Sequence, residues 1–186
     1  MEALIENMNR LVPISALAKR GLEQNLVVLH FSKKEKIIER GEVCSKLYFV
    51  LNGSVRSYQK RNKKEITTWI YHPNIYFAAW DSFLNQSKSE EVFESMADTT
   101  LVSIEYDELQ ALFKKHASLE IWGRKLMEQY TIYFNRFNQQ MRFATAQEKY
   151  DFYLKHFPQQ PKVKLGYIAS FLGITQETLS RLRKKQ

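Results

Sequence analysis

The 186-residue sequence has one cysteine, Cys44, and four histidines, His30, His72, His116 and His156. A single thiol excludes an internal disulfide and any multi-thiolate zinc or iron–sulfur centre, an oxygen-sensing cluster included. It also fits a reducing compartment. The histidines are scattered, with no pair at metal-ligand spacing, so each reads as a surface or structural residue and no metal site or cofactor is expected. A β-barrel enzyme of the cupin type would need a His-x-His cluster with a spaced glutamate, which is absent, so no catalytic residue is assigned. Long hydrophobic runs are also missing. The longest uncharged stretch, Ile66 to Trp80, contains His72 and Pro73 and is too short to span a bilayer. Met1 to Arg10 holds two glutamates and no apolar run, unlike a signal peptide. The expectation is a cytoplasmic protein that is not an enzyme and has no membrane partner.

What the chain does have is a large apolar fraction and an uneven charge. Hydrophobic residues make up 44% and aromatics 13%, enough for a sizeable core and too much for a disordered chain. The formal charge is +8, and residues 144–186 hold eight basic and three acidic residues, a net +5, against +3 for the other 143. A basic final quarter is the footprint of a nucleic-acid contact, although lysine-rich ends also serve solubility alone.

Two periodicities divide the chain. Leu11 to Leu26 reads as a short helix after Pro13, with Leu17, Leu22 and Leu26 on one side. Val27–Phe31, Lys36–Glu39, Lys46–Leu51, Ser54–Lys60 and Glu65–Tyr71 are short runs rich in β-branched and aromatic residues, the composition of strands. Arg40-Gly41-Glu42 and Asn52-Gly53 separate them as turns, and Asn-Gly between two such runs is a strong hairpin signal. Val92–Met96 and Leu101–Tyr106 continue the pattern. Closely spaced short strands predict a barrel or jelly roll.

After Tyr106 the pattern becomes helical. Asp107–His116 is a short helix, and Ser118 is placed to cap a long one running to about Phe143. Leu119, Gly123, Leu126, Tyr130, Tyr133 and Phe137 recur in steps of four and three, a heptad seam of the kind that packs on a partner helix. Trp122, Ile132, Phe134 and Met141 give a second apolar side. A helix apolar on two sides needs two neighbours. The second set is assigned to the barrel and the seam Leu119, Leu126, Tyr130, Tyr133 and Phe137 to a dimer contact; the alternative is that both stripes are intrachain core.

The tail carries the sharpest pattern. Lys164–Phe171 has helical character, with Ile168, Ala169 and Leu172 turned inward. Gly173 is the residue type that ends a helix in the left-handed conformation. Ile174 is expected as a buried plug and Thr175 as an N-cap, and Gln176-Glu177 puts an acid at the positive end of the next helix. Leu179 and Leu182 form its inner face, with Gln176, Glu177, Ser180, Arg181 and Lys184 outside. Helix, glycine turn and capped helix with a polar, basic face describe a helix-turn-helix whose second helix enters the major groove; the bland alternative is a helical hairpin.

Ile168 to Arg181 resembles the helix-turn-helix of the cyclic-AMP receptor protein/fumarate-nitrate regulator (Crp/Fnr) family. Arg40-Gly41-Glu42 and Leu47 to Val55 are similar to that family's β-roll signature, and the order of roll, long helix and basic tail matches over nearly the whole chain. The resemblance implies an α+β homodimer. Residues 1–117 would be a double-stranded β-helix (jelly-roll) sensor domain of the cyclic-nucleotide-binding type, 118–143 a dimerisation helix, and 144–186 a helix-turn-helix domain that ends without a wing. Its partners would be double-stranded DNA with an inverted-repeat operator, a second copy of itself, RNA polymerase as a candidate, and an unidentified small-molecule effector. Carried onto this sequence, Gln176, Glu177, Ser180 and Arg181 read bases, and Lys164, Thr175, Arg183, Lys184 and Lys185 touch phosphates.

Two departures accompany the resemblance: the missing wing, and the nucleotide chemistry. The family's ribose-holding glutamate aligns with Ala79 and its phosphate-gripping arginine with Ser89, beside Glu90 and Glu91, which repel a phosphate. Arg56 reads as a surface residue. Tyr76, Phe77, Ala79, Trp80, Phe83 and Ser89 cluster where a nucleotide would lie, as either an apolar effector pocket or the roll's own core. A dimeric DNA-binding regulator whose sensor binds no nucleotide is the reading adopted; the alternative is a module of the same fold that senses a small molecule, a cyclic nucleotide included.

Overall fold

The computed structural model describes residues 2–157 and 163–184. Two helices open the chain, α1 (Glu2–Leu11) and α2 (Ala16–Asn25). The expected single helix from Leu11 to Leu26 is thus corrected: Pro13 lies in the gap between two, and the Ser15 side chain caps α2 by accepting from the Ala18 N–H.

Eight strands follow: β1 (Val27–Phe31), β2 (Lys36–Ile38), β3 (Lys46–Asn52), β4 (Val55–Arg61), β5 (Lys64–Tyr71), β6 (Tyr76–Phe77), β7 (Val92–Ser95) and β8 (Thr99–Glu105). They form two antiparallel four-stranded sheets in the orders β1-β8-β3-β6 and β2-β7-β4-β5, the arrangement of the expected jelly roll. Asn62 and Lys63 both have positive φ, which gives the β4–β5 hairpin the turn sense that matches strand twist. A short helix absent from the sequence reading, α3 (Trp80–Asn85), lies between β6 and β7.

The helical half comprises α4 (Tyr106–Lys115), α5 (Ala117–Phe143), α6 (Ala146–His156), α7 (Leu165–Leu172) and α8 (Gln176–Arg183). Ser118 does not cap α5: His116 holds the N-cap position with no side-chain bond, and the Ser118 hydroxyl accepts from the Ser15 N–H at 3.5 Å. Helix α6 opens on a capping box between Thr145 and Glu148.

The long helix has its two neighbours inside its own chain. Leu119, Trp122 and Leu126 are buried in the core that the roll shares with α1, α2 and α4. The Tyr130 hydroxyl donates to the Tyr76 carbonyl at 2.7 Å and accepts from the Tyr76 N–H at 3.0 Å. Gly123 lies so close to α4 that an added Cβ would sit 2.7 Å from Phe113 Cζ. Further along, Phe137 is buried with Tyr150, Tyr153, Phe157, Ile168 and Phe171 in a second core, and Tyr133 packs edge-on against Trp69 at 5.8 Å. The dimer seam predicted at Leu119, Leu126, Tyr130, Tyr133 and Phe137 is therefore corrected. These side chains cover the roll and the α6–α8 unit, whereas Ile132, expected against the barrel, is 52% exposed. Among the described residues no helix is long and apolar enough to cross a membrane.

Candidate nucleic-acid interface

Helices α7 and α8 are joined by a turn that the sequence dictates. Gly173 ends α7 at φ 64°, the left-handed region that a residue with a Cβ enters at a cost. Its N–H and that of Ile174 bond back to α7 carbonyls, at 3.2 Å to Ser170 and 3.0 Å to Ala169. Thr175 then caps α8, its hydroxyl accepting from the Thr178 N–H at 3.1 Å. Ile168, Ala169, Leu172 and Leu179 are buried between the helices, as expected, while Ile174 is only half-buried.

The outer side of α8 faces solvent. Gln176, Glu177, Ser180, Arg181, Arg183 and Lys184 are all exposed, as are Thr175 and Lys164. Glu177 and Arg181, four residues apart, make no ion pair with each other or with any other described residue. The predicted base-reading residues thus share one open face. Of the predicted phosphate contacts, Thr175, Arg183 and Lys184 lie on or beside α8 and Lys164 at the start of α7; Lys185 lies outside the described residues. Among the described residues no strand follows α8. A spread of backbone-seeking cations around an uncommitted polar face is what binding in a DNA groove requires.

The roll interior is a different matter. Tyr76, Phe77, Ala79, Phe83 and Ser89 are buried. Phe77 stacks against Tyr48 at 5.0 Å and Phe93 at 5.6 Å, and meets Tyr71 at 4.9 Å. Trp80 packs edge-on against Tyr130 at 5.5 Å. Of the six residues predicted as a possible effector pocket, Tyr76, Phe77, Ala79, Trp80 and Phe83 therefore pack in the roll's core, and Ser89 is buried before β7. The Ser89 hydroxyl donates to the Glu91 carbonyl at 3.0 Å, Glu90 pairs with Arg40 at 2.7 Å, and burial pushes the Glu91 carboxyl up. Buried Ala79 and Ser89 bring no positive charge to this part of the roll, and the carboxylates of Glu90 and Glu91 beside Ser89 disfavour a phosphate.

Arg56 is the residue that sequence reasoning missed. It is only 1% exposed, not a surface residue. Its guanidinium donates to Glu65 at 2.7 Å and Glu94 at 3.4 Å, and Glu94 also pairs with Lys36. The guanidinium carbon lies 4.2 Å from the centre of the Tyr58 ring and 3.7 Å from that of Tyr167 on α7. Alongside, the Thr67 N–H donates to the Ser170 hydroxyl at 2.9 Å, and Trp69 packs edge-on against Phe171 at 5.5 Å. Arg56 and Tyr58, two apart on β4, share the sheet's outer face, and α7 covers it. No local pattern around Arg56 announces a helix that arrives more than a hundred residues later.

Residues 28–116 match the cyclic nucleotide-binding domain family. No curated protein matches the chain in sequence. Among solved structures, FixK2 from Bradyrhizobium japonicum superposes with a TM-score of 0.72 at 18% identity, over 86% of this chain and 83% of that one. The c-di-GMP-responsive global regulator CLP from Xanthomonas campestris gives 0.68 at 17%, over 92% and 91%. A protein assigned to the Crp/Fnr family of transcriptional regulators, from Eubacterium rectale, gives 0.68 at 21%, over 92% and 83%. The likeness runs through roll, long helix and terminal helices alike, so residues 28–116 resemble a cyclic nucleotide-binding domain and the chain as a whole has the fold of the Crp/Fnr transcriptional regulators.

Proposed function

We propose that the chain is a DNA-binding transcriptional regulator that works as a homodimer in the cytoplasm, with α8 as its reading helix. The observation that carries this is the exposed, unpaired set Gln176, Glu177, Ser180 and Arg181 on a helix fixed by the Gly173 turn and the Thr175 cap. Arg181 can fork onto a guanine, Glu177 can accept from a cytosine amino group, and Gln176 pairs best with adenine. Residues 1–117 serve as the sensor, 118–143 as the connecting and self-associating helix, and 144–186 as the DNA-binding unit.

Self-association belongs to the open side of α5. Ile121, Lys125, Glu128, Ile132, Asn135 and Gln139 are all exposed and recur in steps of four and three, the spacing of a coiled-coil stripe. This stripe, one side over from the buried seam, supports a parallel pairing that sets two α8 helices one turn of DNA apart.

The test is selection of bound sequences from a random DNA pool with the full chain. The expected result is an inverted repeat with half-site centres roughly 10 base pairs apart. A pool with no enriched repeat would sink the reading.

A further inference from the structure

We propose that the groove between β5 and the middle of α5 is a binding site for a small, flat aromatic carboxylate. The groove encloses about 360 Å³, within the range of small-molecule pockets. It borders the roll's aromatic core, against which its lining residues Trp69, Ile75 and Tyr130 also pack. Ile70, on one wall, belongs to the core shared with α6–α8, and Phe157, from the end of α6, closes the site.

Two features define the ligand. The walls are aromatic, with Trp69, Tyr130, Tyr133, Phe134 and Phe157 presenting faces and edges to the space, so a flat ring system gains stacking contact as well as apolar burial. The charge is one-sided. Among the described residues no carboxylate lines the groove, and Arg136 is the one permanently charged side chain there. Arg136 is exposed and makes no ion pair with any described residue. A guanidinium at the lip of an aromatic slot matches a ring with a carboxylate at its edge, through a two-pronged, charge-assisted hydrogen bond. A cationic ligand would meet Arg136 with nothing to offset the repulsion. His72 also lines the site, and burial pulls its pKa down, so near neutrality it adds a polar contact rather than a second charge.

The position gives the site a consequence. Its walls come from β5 of the sensor, from α5, and from the end of α6 in the terminal unit, so an occupant touches each part that must move for α8 to change its placement. This consequence rests on the DNA-binding reading; occupancy of the groove does not.

The experiment is calorimetric titration of the full chain with 2-naphthoate and with its uncharged isostere 2-naphthamide. Saturable 2-naphthoate binding is expected, about ten-fold tighter than the amide. Arg136→Gln should bring 2-naphthoate to the level of the amide and leave the amide unchanged. Gln129→Trp, at an exposed lining position, should fill the groove and abolish both. Both variants alter solvent-facing residues, so folding should be intact by circular dichroism. Equal affinity for acid and amide, affinities indifferent to both variants, or no saturable heat would each overturn the assignment. So would binding only to a monomeric variant, which would make a second copy of the chain the occupant. Since no step uses DNA, a failure here is distinct from a failure of the DNA selection.

Discussion

The guanidinium carbon of Arg56, on β4 of the roll, lies 3.7 Å from the centre of the Tyr167 ring on α7. The roll thus holds the terminal unit by a buried cation set between two tyrosines, Tyr58 and Tyr167, with Glu65, Glu94 and Lys36 balancing charge beneath it. Taking Arg56 away leaves Glu94, a side chain only 10% exposed, with Lys36 alone. Arg56→Ala should therefore cost roughly 3 kcal/mol of stability, the scale for breaking a buried ion pair. Tyr167→Ala removes a ring but strands no charge and should cost less, about 1–2 kcal/mol. Urea denaturation of both variants checks the order; an Arg56→Ala protein as stable as wild type would mean the cluster holds nothing together.

The fold and the candidate site were legible in the sequence to different depths. The α7–turn–α8 geometry was readable because its determinants are local: a glycine at the left-handed position, a threonine cap three residues before its partner N–H, and leucines at helical spacing. The roll was readable from its closely spaced short strands, but the hairpin expected at Asn52-Gly53 is corrected. Gly53 turns the chain at φ 85°, and β3 and β4 on either side of it belong to different sheets, because β3 pairs with β6 and β8 and β4 with β5 and β7. The start of α6 is equally local, a capping box of Thr145 and Glu148. What could not be read was which neighbour each stripe of α5 would meet. The heptad at Leu119, Leu126, Tyr130, Tyr133 and Phe137 fits a partner helix and an intrachain core equally well, and only the tertiary arrangement decides. Arg56 failed in the same way, since its burial depends on a helix far along the chain.

Acid should loosen this structure in two windows. Burial pulls the His72 pKa down, so its contribution is complete above the unfolded value of about 6.5 and is lost as pH falls towards the folded one. Burial works against the Glu65 carboxylate, but hydrogen bonding to Arg56 outweighs it and lowers the pKa. That stabilisation holds above about 4.3 and is lost as pH falls through the folded value. Glu91, raised by burial, acts in the opposite sense, so the decisive quantity is a difference between proteins. The urea midpoint should fall between about pH 7 and 5 more steeply in wild type than in His72→Gln. Parallel profiles would show that His72 gains its proton as easily folded as unfolded.

The two sides of α5 should respond differently to charge. Ile121 and Ile132 are 41% and 52% exposed, whereas Leu126 is 6%. Ile121→Glu with Ile132→Glu should leave a folded chain that sediments as a monomer, because glutamates facing each other across a two-fold axis repel. Leu126→Glu should instead destabilise the fold itself, by about 3 kcal/mol or more, since it buries an unpaired charge and removes a core side chain. A double glutamate variant that still sediments as a dimer would move self-association to another surface.

Base reading and phosphate contact separate by their dependence on sequence and on salt. Arg181 lies on the open face of α8, four residues after Glu177 and unpaired with it. Its guanidinium can fork onto one guanine, so Arg181→Ala should cost about 1–3 kcal/mol of affinity and relax preference at that base pair alone. Lys184, just past the helix end and exposed, has no such fork. Lys184→Ala should weaken binding to every sequence alike and reduce the slope of log affinity against log salt by about one unit. Gln176 sharpens the contrast, because its amide can donate and accept together at an adenine edge. Gln176→Arg should therefore shift the preferred base at its position from adenine towards guanine and leave the Arg181 position unaltered. Binding measured on a panel of single-base operator variants at two salt concentrations reads all three effects. If Arg181→Ala lowers affinity uniformly across the panel, Arg181 belongs with the phosphate contacts and α8 does not present this face to the bases.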